Sequence, residues 1–287
     1  MSGNVSIIIV NFNAGQLLTD CVQVALTSTF PVKIYVIDNA SQDNSLAILQ
    51  QTIIDERVHI IKNTDNLGFA PAINSVLPNL TSEYILLLNP DCLIQANTIA
   101  LFVKTMDKYP KTGISGCVVR NLDGSEQAGC RRSVPTPWRA LVRVFLLDKL
   151  FPQYCKSFVL TNSPLPTQPI EIEGISGACM FVRHSAIKIV GPMDEEYFLH
   201  CEDLDWFMRF RAKNFHILFI PSIEVTHVKG FCSRNQPIKV LWYKHRGMIR
   251  FYRKFFQNQY PRLLFWPVIL AVWIRFSLLA IKTKFFN

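Results

Sequence analysis

The chain has 287 residues, of which 49% are hydrophobic and 18% charged. This composition excludes a disordered protein and leaves room for one large α/β domain with an appendage, or for two small domains. The net charge of +9 is uneven, because positions 229–287 hold 12 Lys or Arg and no acidic residue, whereas the first 228 positions have a net charge of −3.

The first 120 residues alternate between β-rich runs and helical patterns. Strands are predicted at 5–11, 32–39, 58–63, 84–89 and 113–119. Helices are predicted through Leu18, Val22 and Ala25 and at 43–54, 69–77 and 97–108. Such alternation is typical of βαβ units, which form a mainly parallel sheet flanked by helices. The fold class is therefore α/β with a Rossmann-like sheet.

Polar side chains stand at the carboxyl ends of four of these strands: Asn11, Asp38, Asn63 and Asp91. In open α/β sheets, ligands bind beyond the carboxyl ends of the strands. Because those ends share one edge of a parallel sheet, we expect the four side chains to line a single binding rim.

The regular pattern stops after Arg120. Positions 121–170 are rich in Pro, Ser, Thr and Arg, and we interpret them as an acceptor-side insertion or lid. Regular elements return with a strand pattern at 172–182, an acidic helix that begins near Cys201, and a strand at 215–228.

The acidic helix offers two candidate carboxylates. Asp205 lies four residues before Arg209 and can pair with it along the helix, which favours a structural role. Asp203 has no basic residue at that spacing and is a candidate general base. Acidic residues in a first helical turn are also favoured by the helix dipole alone, so this structural interpretation remains an alternative.

Asp91 and His227 are candidate metal ligands, since a divalent cation beside a diphosphate takes one or two protein groups together with phosphate oxygens. The stretch NLGFAPAIN (66–74) places a glycine at a strand-to-helix turn, where backbone N–H groups can face an anion. No G-x-G-x-x-G or Walker sequence is present, which disfavours nicotinamide and P-loop chemistry.

In the carboxyl-terminal segment 234–287, basic residues alternate with aromatic and long aliphatic ones. This pattern favours an anionic membrane surface over nucleic acid as the binding partner. The apolar stretch 263–281 contains Arg275 at its centre, so an interfacial or re-entrant helix is favoured over a true span. A helix packed on the core is the third interpretation. With eight cysteines, none in a C-x-x-C pair, and no signal-peptide pattern, we expect reduced thiols and a cytosolic location.

Taken in order, the motifs resemble family-2 glycosyltransferases of the GT-A (nucleotide-diphospho-sugar transferase) fold, in particular the rhamnosyltransferase-like branch. The matching segments are IIIVNFN (7–13), VIDNASQDNS (36–45), NLGFAPAIN (66–74), LLLNPD (86–91), LDGSEQ (122–127), SGACMFVRHSAIKIVGPMDEEYF (176–198), EDLDWFMR (202–209) and THVKGFCS (226–233). The resemblance implies a GT-A domain over 1–233 and leaves 234–287 as a helical membrane-associating tail.

The resemblance also implies donor-side roles. Asp38 would hydrogen-bond the nucleotide base beside Asn11 and Asn13, and Asn66 and Gly68 would frame the nucleotide pocket.

The remaining implied roles concern the metal and the acceptor. Asp91 would bind Mg²⁺ or Mn²⁺, with Asn89 in place of the first aspartate of the D-x-D motif, and His227 would be a second metal or diphosphate contact. Asp203 would be the catalytic base. On the acceptor side, Glu202 is a candidate, and Trp206 would either line the sugar or pack in the core.

The implied function is an inverting, metal-dependent transfer of a sugar from a nucleotide sugar to a saccharide acceptor. The preferred donor is dTDP-L-rhamnose, and the preferred acceptor is lipid-linked, at the cytoplasmic face of the membrane in surface polysaccharide or cell-wall synthesis. Alternatives are a galactosyl- or N-acetylglucosaminyl-transferase on the same fold, and a non-catalytic carbohydrate- or lipid-binding subunit.

Overall fold

The computed structural model describes residues 4–144, 159–228, 230, 236–259 and 262–286. Three predictions fall partly outside them: positions 145–158 of the predicted lid, 229 and 231–233 of the last motif, and 234–235, 260–261 and 287 of the predicted tail. The predicted α/β sheet with flanking helices is present. The strands and helices predicted for the first 120 residues are confirmed to within two residues at each end.

The strands are numbered in chain order. They are β1 (Val5–Asn11), β2 (Val32–Asp38), β3 (Val58–Lys62), β4 (Tyr84–Leu88), β5 (Cys92–Leu93), β6 (Thr112–Arg120), β7 (Arg131–Arg132), β8 (Ile170–Glu171), β9 (Gly174–Ile175), β10 (Cys179–Arg183) and β11 (His216–His227).

The helices are numbered in the same way. They are α1 (Gln16–Leu26), α2 (Ser45–Thr52), α3 (Phe69–Val76), α4 (Thr98–Lys108), α5 (Pro137–Val144), α6 (His184–Val190), α7 (Glu202–Ala212), α8 (Pro237–Phe256) and α9 (Arg262–Phe286), with short 3₁₀ turns at Leu77–Asn79 and Leu160–Asn162.

The main sheet has the strand order β3-β2-β1-β4-β10-β6-β11-β5, with β8 paired to β11. β1, β2, β3 and β4 pair in parallel, as predicted, but β10 enters antiparallel between β4 and β6. The sheet is therefore mixed beyond β4. Because β10 is antiparallel to both neighbours, β4 and β6 point the same way, and β11 runs parallel to β6.

The core lies on both faces of the central strands. All five residues of β4 are buried, as expected for a strand covered by helices on both sides. Helix α1 contributes Leu18, Cys21, Val22 and Ala25, whose spacing of three and four residues defines one apolar face. The cysteines at 21, 92, 117, 130, 179 and 201 are unpaired and buried, in agreement with the predicted reduced thiols.

The described part of the insertion is anchored to the domain. β7 pairs with β9 in a second, two-stranded sheet, and the buried Arg131 forms an ion pair with Glu126 at 2.7 Å. These contacts hold Arg132 at a fixed place beside the main sheet.

The tail consists of two packed helices. Helix α8 buries six residues: His245, Gly247, Ile249, Phe251, Tyr252 and Phe256. Helix α9 packs on α8 with Phe265, Val268, Ile269 and Val272 buried. Within the described part of the chain, one helical stretch, Phe265–Phe285, is long and apolar enough to cross a membrane.

Candidate active site

The carboxyl ends of β1, β2, β4, β6 and β11 meet at one edge of the sheet. Asn11 and Asp38 end β1 and β2, Asp91 follows β4, and His227 ends β11. Asp203 reaches the same edge from α7: a Cβ atom on Gly177, just before β10, would lie 3.3 Å from its Oδ2 atom. The side chains at 38, 91, 203 and 227 therefore line one rim.

Asn11 organises the first part of this rim. It is fully buried, and its Nδ2 atom donates to Asp38 Oδ1 at 2.7 Å, Ser45 Oγ at 2.9 Å and Ser41 Oγ at 3.0 Å. Asp38 Oδ2 accepts from the backbone N–H of Ser41 at 3.2 Å. These hydrogen bonds orient the carboxylate of Asp38 at the strand end.

Asn13 shapes the loop that follows β2. Its backbone is left-handed, with φ of 57°, and its side-chain Oδ1 accepts from the backbone N–H groups of Gln42 at 2.7 Å and Asp43 at 3.3 Å. Its own backbone N–H donates to Ser41 Oγ. Asn13 thus connects the loops after β1 and β2.

Asn66 and Gly68 fix the turn into α3. Asn66 Oδ1 accepts from the backbone N–H of Gly68 at 3.0 Å, and Asn39 Nδ2 donates to Gly68 O at 2.9 Å. Gly68 has φ of +92°, and a Cβ atom there would lie 2.6 Å from Phe198 O. Only glycine fits this backbone and this contact. The next N–H, that of Phe69, donates to the same Phe198 oxygen at 2.9 Å.

Asn89 connects β4 to β10. Its backbone N–H donates to Ala178 O at 2.9 Å, and its carbonyl accepts from the N–H of Cys92. This tight turn places the buried carboxylate of Asp91 at the rim.

His227 faces Asp91 across the β5–β11 pairing, with His227 Nε2 3.1 Å from Asp91 Oδ1. The other ring nitrogen, Nδ1, lies 2.7 Å from Gln127 Oε1. Gln127 Nε2 is oriented towards Asn121 Oδ1 at 2.9 Å and His227 O at 3.4 Å. Because this network turns Gln127 Oε1 towards the ring, it assigns the hydrogen to Nδ1 of His227.

The position of the hydrogen on the His227 ring bears on whether a metal ion fits between His227 and Asp91. With Nδ1 as donor to Gln127, Nε2 of His227 is the atom that faces the Asp91 carboxylate, and these two atoms, 3.1 Å apart, are favourable neighbours only with a cation or a proton between them. A buried imidazole oriented by an outer amide, beside a carboxylate, is a common form of metal site. The residues present therefore fit Mg²⁺ or Mn²⁺.

Cys92 lies in the same cluster: one ligand atom each from Asp91, Cys92 and His227 are within 4.8 Å of one another. Its Sγ, however, contacts Ala178 O at 3.3 Å, which makes the thiol a donor. Burial raises the pKa of the Cys92 thiol well above its usual range. The nearby Cys179 and Asp91 raise this pKa further. A hard cation binds carboxylate and imidazole rather than a protonated thiol, so Asp91 and His227 are the pair that would hold it.

Asp203 has a partner that the sequence did not predict. Its Oδ2 atom forms an ion pair with Arg132 Nη2, from the described part of the insertion, and its Oδ1 accepts from the N–H of Leu204 at 2.7 Å. No basic residue near Asp203 in the sequence supplies this partner, which comes from a distant segment of the chain. The residue lies 71 positions from Arg132, beyond the range of helical spacing rules.

Glu202, adjacent to Asp203, is buried and its Oε2 has no hydrogen-bond partner among the described residues. Burial raises the pKa of its carboxyl to about 8, and the negative charge of Asp203 adds to the effect. Glu202 is therefore mainly protonated at neutral pH.

Asp205 and Trp206 are structural. Asp205 is fully buried and pairs with Arg209 Nε at 2.6 Å, as the spacing predicted, and with Lys254 from α8 at 2.6 Å. Trp206 is fully buried, donates from Nε1 to Gly191 O at 3.0 Å, and meets Phe210 edge-on. Of the two interpretations given for Trp206, core packing is the one that this position fits.

A match to the family model described as Glycosyl transferase family 2 covers residues 6–188. The chain belongs to glycosyl transferase family 2. As a glycosyltransferase it is rhamnosyltransferase-like: it is 25% identical over 234 residues to the N-acetylglucosaminyl-diphospho-decaprenol L-rhamnosyltransferase of Mycobacterium tuberculosis, covering 78% of this chain and 75% of that protein. It is 22% identical over 159 residues to Rhamnosyltransferase WbbL of Escherichia coli, covering 53% of this chain and 55% of that protein.

Solved structures of similar fold confirm the GT-A architecture. The mannosyltransferase PcManGT from Pyrobaculum calidifontis, in complex with GDP-Man and Mn²⁺, superposes with a TM-score of 0.62 at 15% identity, covering 94% of this chain and 69% of that one. TarS 1–349 from S. aureus in complex with UDP-GlcNAc has a TM-score of 0.54 at 15% identity, covering 87% of this chain and 66% of that one. At these identities the likeness shows the fold alone.

Four residues at the rim of this family-2 glycosyltransferase were not predicted from the sequence: Asn39, Ser41, Gln127 and Arg132. Asn39 and Ser41 lie inside the motif VIDNASQDNS (36–45), one and three residues after Asp38 at the end of β2, and that position was a usable signal. Gln127 closes another quoted motif, LDGSEQ, but nothing local links it to His227, 100 positions later. Arg132 falls in a segment whose composition indicated only an insertion.

Proposed function

We propose that this glycosyltransferase transfers a sugar, with inversion, from a nucleotide sugar to a lipid-linked saccharide in surface polysaccharide or cell-wall synthesis. The observation that carries the proposal is the Asp91–His227–Gln127 arrangement, a buried carboxylate and an oriented imidazole at the edge where sugar-nucleotide enzymes of this fold type bind their ligands. Asp203 at the same rim supplies the candidate base.

Each side chain has a task in this reaction. Asp38, held by Asn11, would accept a hydrogen bond from the nucleotide base, and Asn66 and Gly68 would support the loop beside it. Asp91 and His227 would hold Mg²⁺ or Mn²⁺. When bound, such an ion supplies positive charge that stabilises the diphosphate leaving group.

Asp203 would take the proton from the acceptor hydroxyl while that oxygen attacks the anomeric carbon from the face opposite the diphosphate. Attack from that side inverts the configuration. Arg132 would hold the carboxylate of Asp203 in place through their ion pair.

The donor, the acceptor and the position at the membrane are each supported by a separate observation. dTDP-L-rhamnose is favoured as donor because two of the similar proteins are described as rhamnosyltransferases. A lipid-linked acceptor is favoured because the description of the mycobacterial relative includes a diphospho-decaprenol. A peripheral or monotopic position on the cytoplasmic face is favoured by the basic helices α8 and α9, of which α9 exposes Trp266, Leu270 and Leu278.

The main alternative is another donor on the same scaffold, since structures of this fold hold GDP-Man in one case and UDP-GlcNAc in another. A non-catalytic binding subunit is the less favoured alternative, because the residues needed for chemistry are retained at one rim. Thermal-shift screening of nucleotide sugars with and without Mn²⁺ separates these cases, since a ligand stabilises the fold by an amount that grows with the logarithm of its concentration over its dissociation constant.

Two substitutions test the mechanism. We expect Asp203→Asn to lower transfer by ~10²–10⁴-fold, the usual contribution of a general base, with donor binding nearly unchanged. We expect Asp91→Ala to weaken metal-dependent donor binding at least ~10-fold, since a charge-assisted ligand is lost. Transfer assays and calorimetric titration of the donor measure the two effects. Retained transfer in Asp203→Asn would remove that residue from the role of base.

A further inference from the structure

A basic cleft lies between α8, α9 and the loop that precedes α7. It has a volume of about 710 Å³, and we call it the tail cleft. Its lining residues are Glu196, Trp242, Arg246, Ile249, Arg250, Arg253, Lys254 and Trp273. Four of these eight side chains are cationic and one is acidic, so the cleft is suited to an anion.

Two of the four cations are available to a ligand. Arg250 and Lys254 are engaged by Asp194 at 2.9 and 2.6 Å. Arg246 and Arg253 are exposed and form no ion pair within the described part of the chain. Two guanidinium groups at one cleft match a ligand with at least two negative charges, such as a diphosphate, better than a phospholipid with one.

The cleft borders an apolar stripe on α9. The stripe is formed by exposed side chains spaced three and four residues apart: Trp266, Leu270, Ile274, Leu278, Ile281 and Phe285. Trp273 lies between this stripe and the cleft, and its ring centroid is 4.9 Å from that of Trp242. An amphiphile could therefore place its apolar chain along α9 and its anionic group in the cleft.

The cleft also continues towards the catalytic rim. A second cavity of about 310 Å³ shares Glu196 and Arg246 with it and extends to Phe198. Phe198 O accepts the N–H of Phe69, at the donor-side turn, and the loop that contains Phe198 leads directly into α7 and Asp203.

We propose that the tail cleft binds the diphosphate of a lipid-linked acceptor, with Arg246 and Arg253 as its ligands and the apolar stripe of α9 in the membrane. The inference rests on the proposed function in one respect, that the acceptor carries a lipid diphosphate. The saccharide of this acceptor would then extend through the second cavity towards Asp203.

The test uses the full chain and vesicles. Binding to phosphatidylcholine vesicles that contain geranylgeranyl diphosphate is compared with binding to vesicles brought to the same total negative charge by phosphatidylglycerol. We expect about tenfold tighter binding to the diphosphate vesicles, the effect of charge-assisted hydrogen bonds that phosphatidylglycerol does not provide. Equal binding to both vesicles by the wild-type chain would overturn the proposal and would indicate an unspecific anionic surface.

Matched double variants locate the site. Arg246→Gln with Arg253→Gln should abolish the preference for the diphosphate. Lys239→Gln with Lys282→Gln removes the same charge from exposed positions of α8 and α9 outside the cleft and should leave the preference intact. Loss of the preference in both pairs, or in neither, would contradict the assignment to the cleft.

Donor binding separates this inference from the proposed function. Titration of each double variant with the nucleotide sugar should give the wild-type affinity, because the cleft lies apart from the Asp91–His227 pair. A wild-type chain that binds no nucleotide sugar would refute the proposed function, whereas the vesicle comparison would still decide what the cleft binds.

Discussion

Arg132 and Asp203 form an ion pair between the insertion and the first turn of α7. A carboxylate that acts as a base has to be correctly oriented, and a guanidinium contact orients it. Arg132 Nε is also buried without a hydrogen-bond partner among the described residues. We therefore propose that Arg132 is a positioning residue that acts through Asp203.

Substitution of Arg132 tests this role. We expect Arg132→Gln to lower kcat by at least ~10-fold, because a charge-assisted hydrogen bond to the base is lost, and Arg132→Lys to recover part of the rate. Steady-state kinetics measures both. An unchanged kcat in Arg132→Gln, or no recovery in Arg132→Lys, would contradict the assignment.

Glu202 makes stability depend on pH. Its pKa is about 8 in the folded chain against 4.5 ordinarily, so between these values the folded chain binds a proton that the unfolded chain has lost. Stability conferred by the protonated carboxyl is complete below the unfolded pKa and declines as pH rises towards 8, by on the order of a few kcal/mol.

The matched variant is Glu202→Gln, which keeps the shape and removes the titration. We expect its unfolding free energy, from urea denaturation at a series of pH values, to be nearly level between pH 5 and 8 where that of the wild type falls. A parallel decline in both proteins would show that other groups cause it.

Some rim residues were accessible from sequence and others were not. Asn11, Asp38 and Asp91 stand at strand ends, and strand ends follow from hydrophobic patterning. Gln127 and Arg132 act across 100 and 71 positions respectively, and no local pattern encodes such a contact. The pairing partner of Asp203 could not be predicted for this reason.

At the level of elements, α8 is joined to the domain by ion pairs as well as by its apolar face. Lys254 Nζ lies 2.6 Å from both Asp194 Oδ2 and the buried Asp205 Oδ2, the latter without hydrogen-bond geometry. Arg250 adds a second contact to Asp194. The boundary predicted at 233–234 thus separates two segments that are closely packed in the described structure.

Removal of the Lys254 charge should destabilise this junction. We expect Lys254→Met to lower the unfolding free energy by about 1–3 kcal/mol, because the buried carboxylate of Asp205 then keeps only Arg209 as a partner. The control is Lys239→Met, at an exposed position of the same helix. Denaturant midpoints compare the two, and an equal effect of both changes would mean that the ion pair contributes nothing specific.

The direction of some strands in the main sheet was predicted from the sequence, and that of β10 was not. Alternation of strands and helices predicted the parallel order of β1 to β4, but the antiparallel insertion of β10 between β4 and β6 was not anticipated. A buried strand such as CMFVR has the same pattern whichever way it runs, because direction is decided by its neighbours and by loop length.

At the scale of the whole molecule, the positive charge is concentrated at one end. The 12 basic residues of 229–287 contrast with a net charge of −3 for the preceding part of the chain. Each basic residue near an anionic membrane contributes ~1 kcal/mol of attraction. The exposed apolar side chains of α9 add hydrophobic contact at the same end.

Deletion of positions 258–287 tests this arrangement. It removes α9 and leaves α8, which ends at Phe256, with its ion pairs to the domain. We expect the shortened chain to leave the membrane fraction on sedimentation and to bind the nucleotide sugar as before. A shortened chain that still sediments with membranes would contradict a membrane-associating role for this tail.

The contact between Gly68 and Phe198 couples two loops mechanically. A Cβ atom at position 68 would lie 2.6 Å from Phe198 O, and the N–H of Phe69 donates to that oxygen, so a shift of one loop strains its contact with the other. One loop belongs to the proposed nucleotide pocket and the other runs to Asp203. In the proposed mechanism, occupation of the pocket would influence the position of Asp203, and the order in which the two substrates bind would depend on this backbone contact.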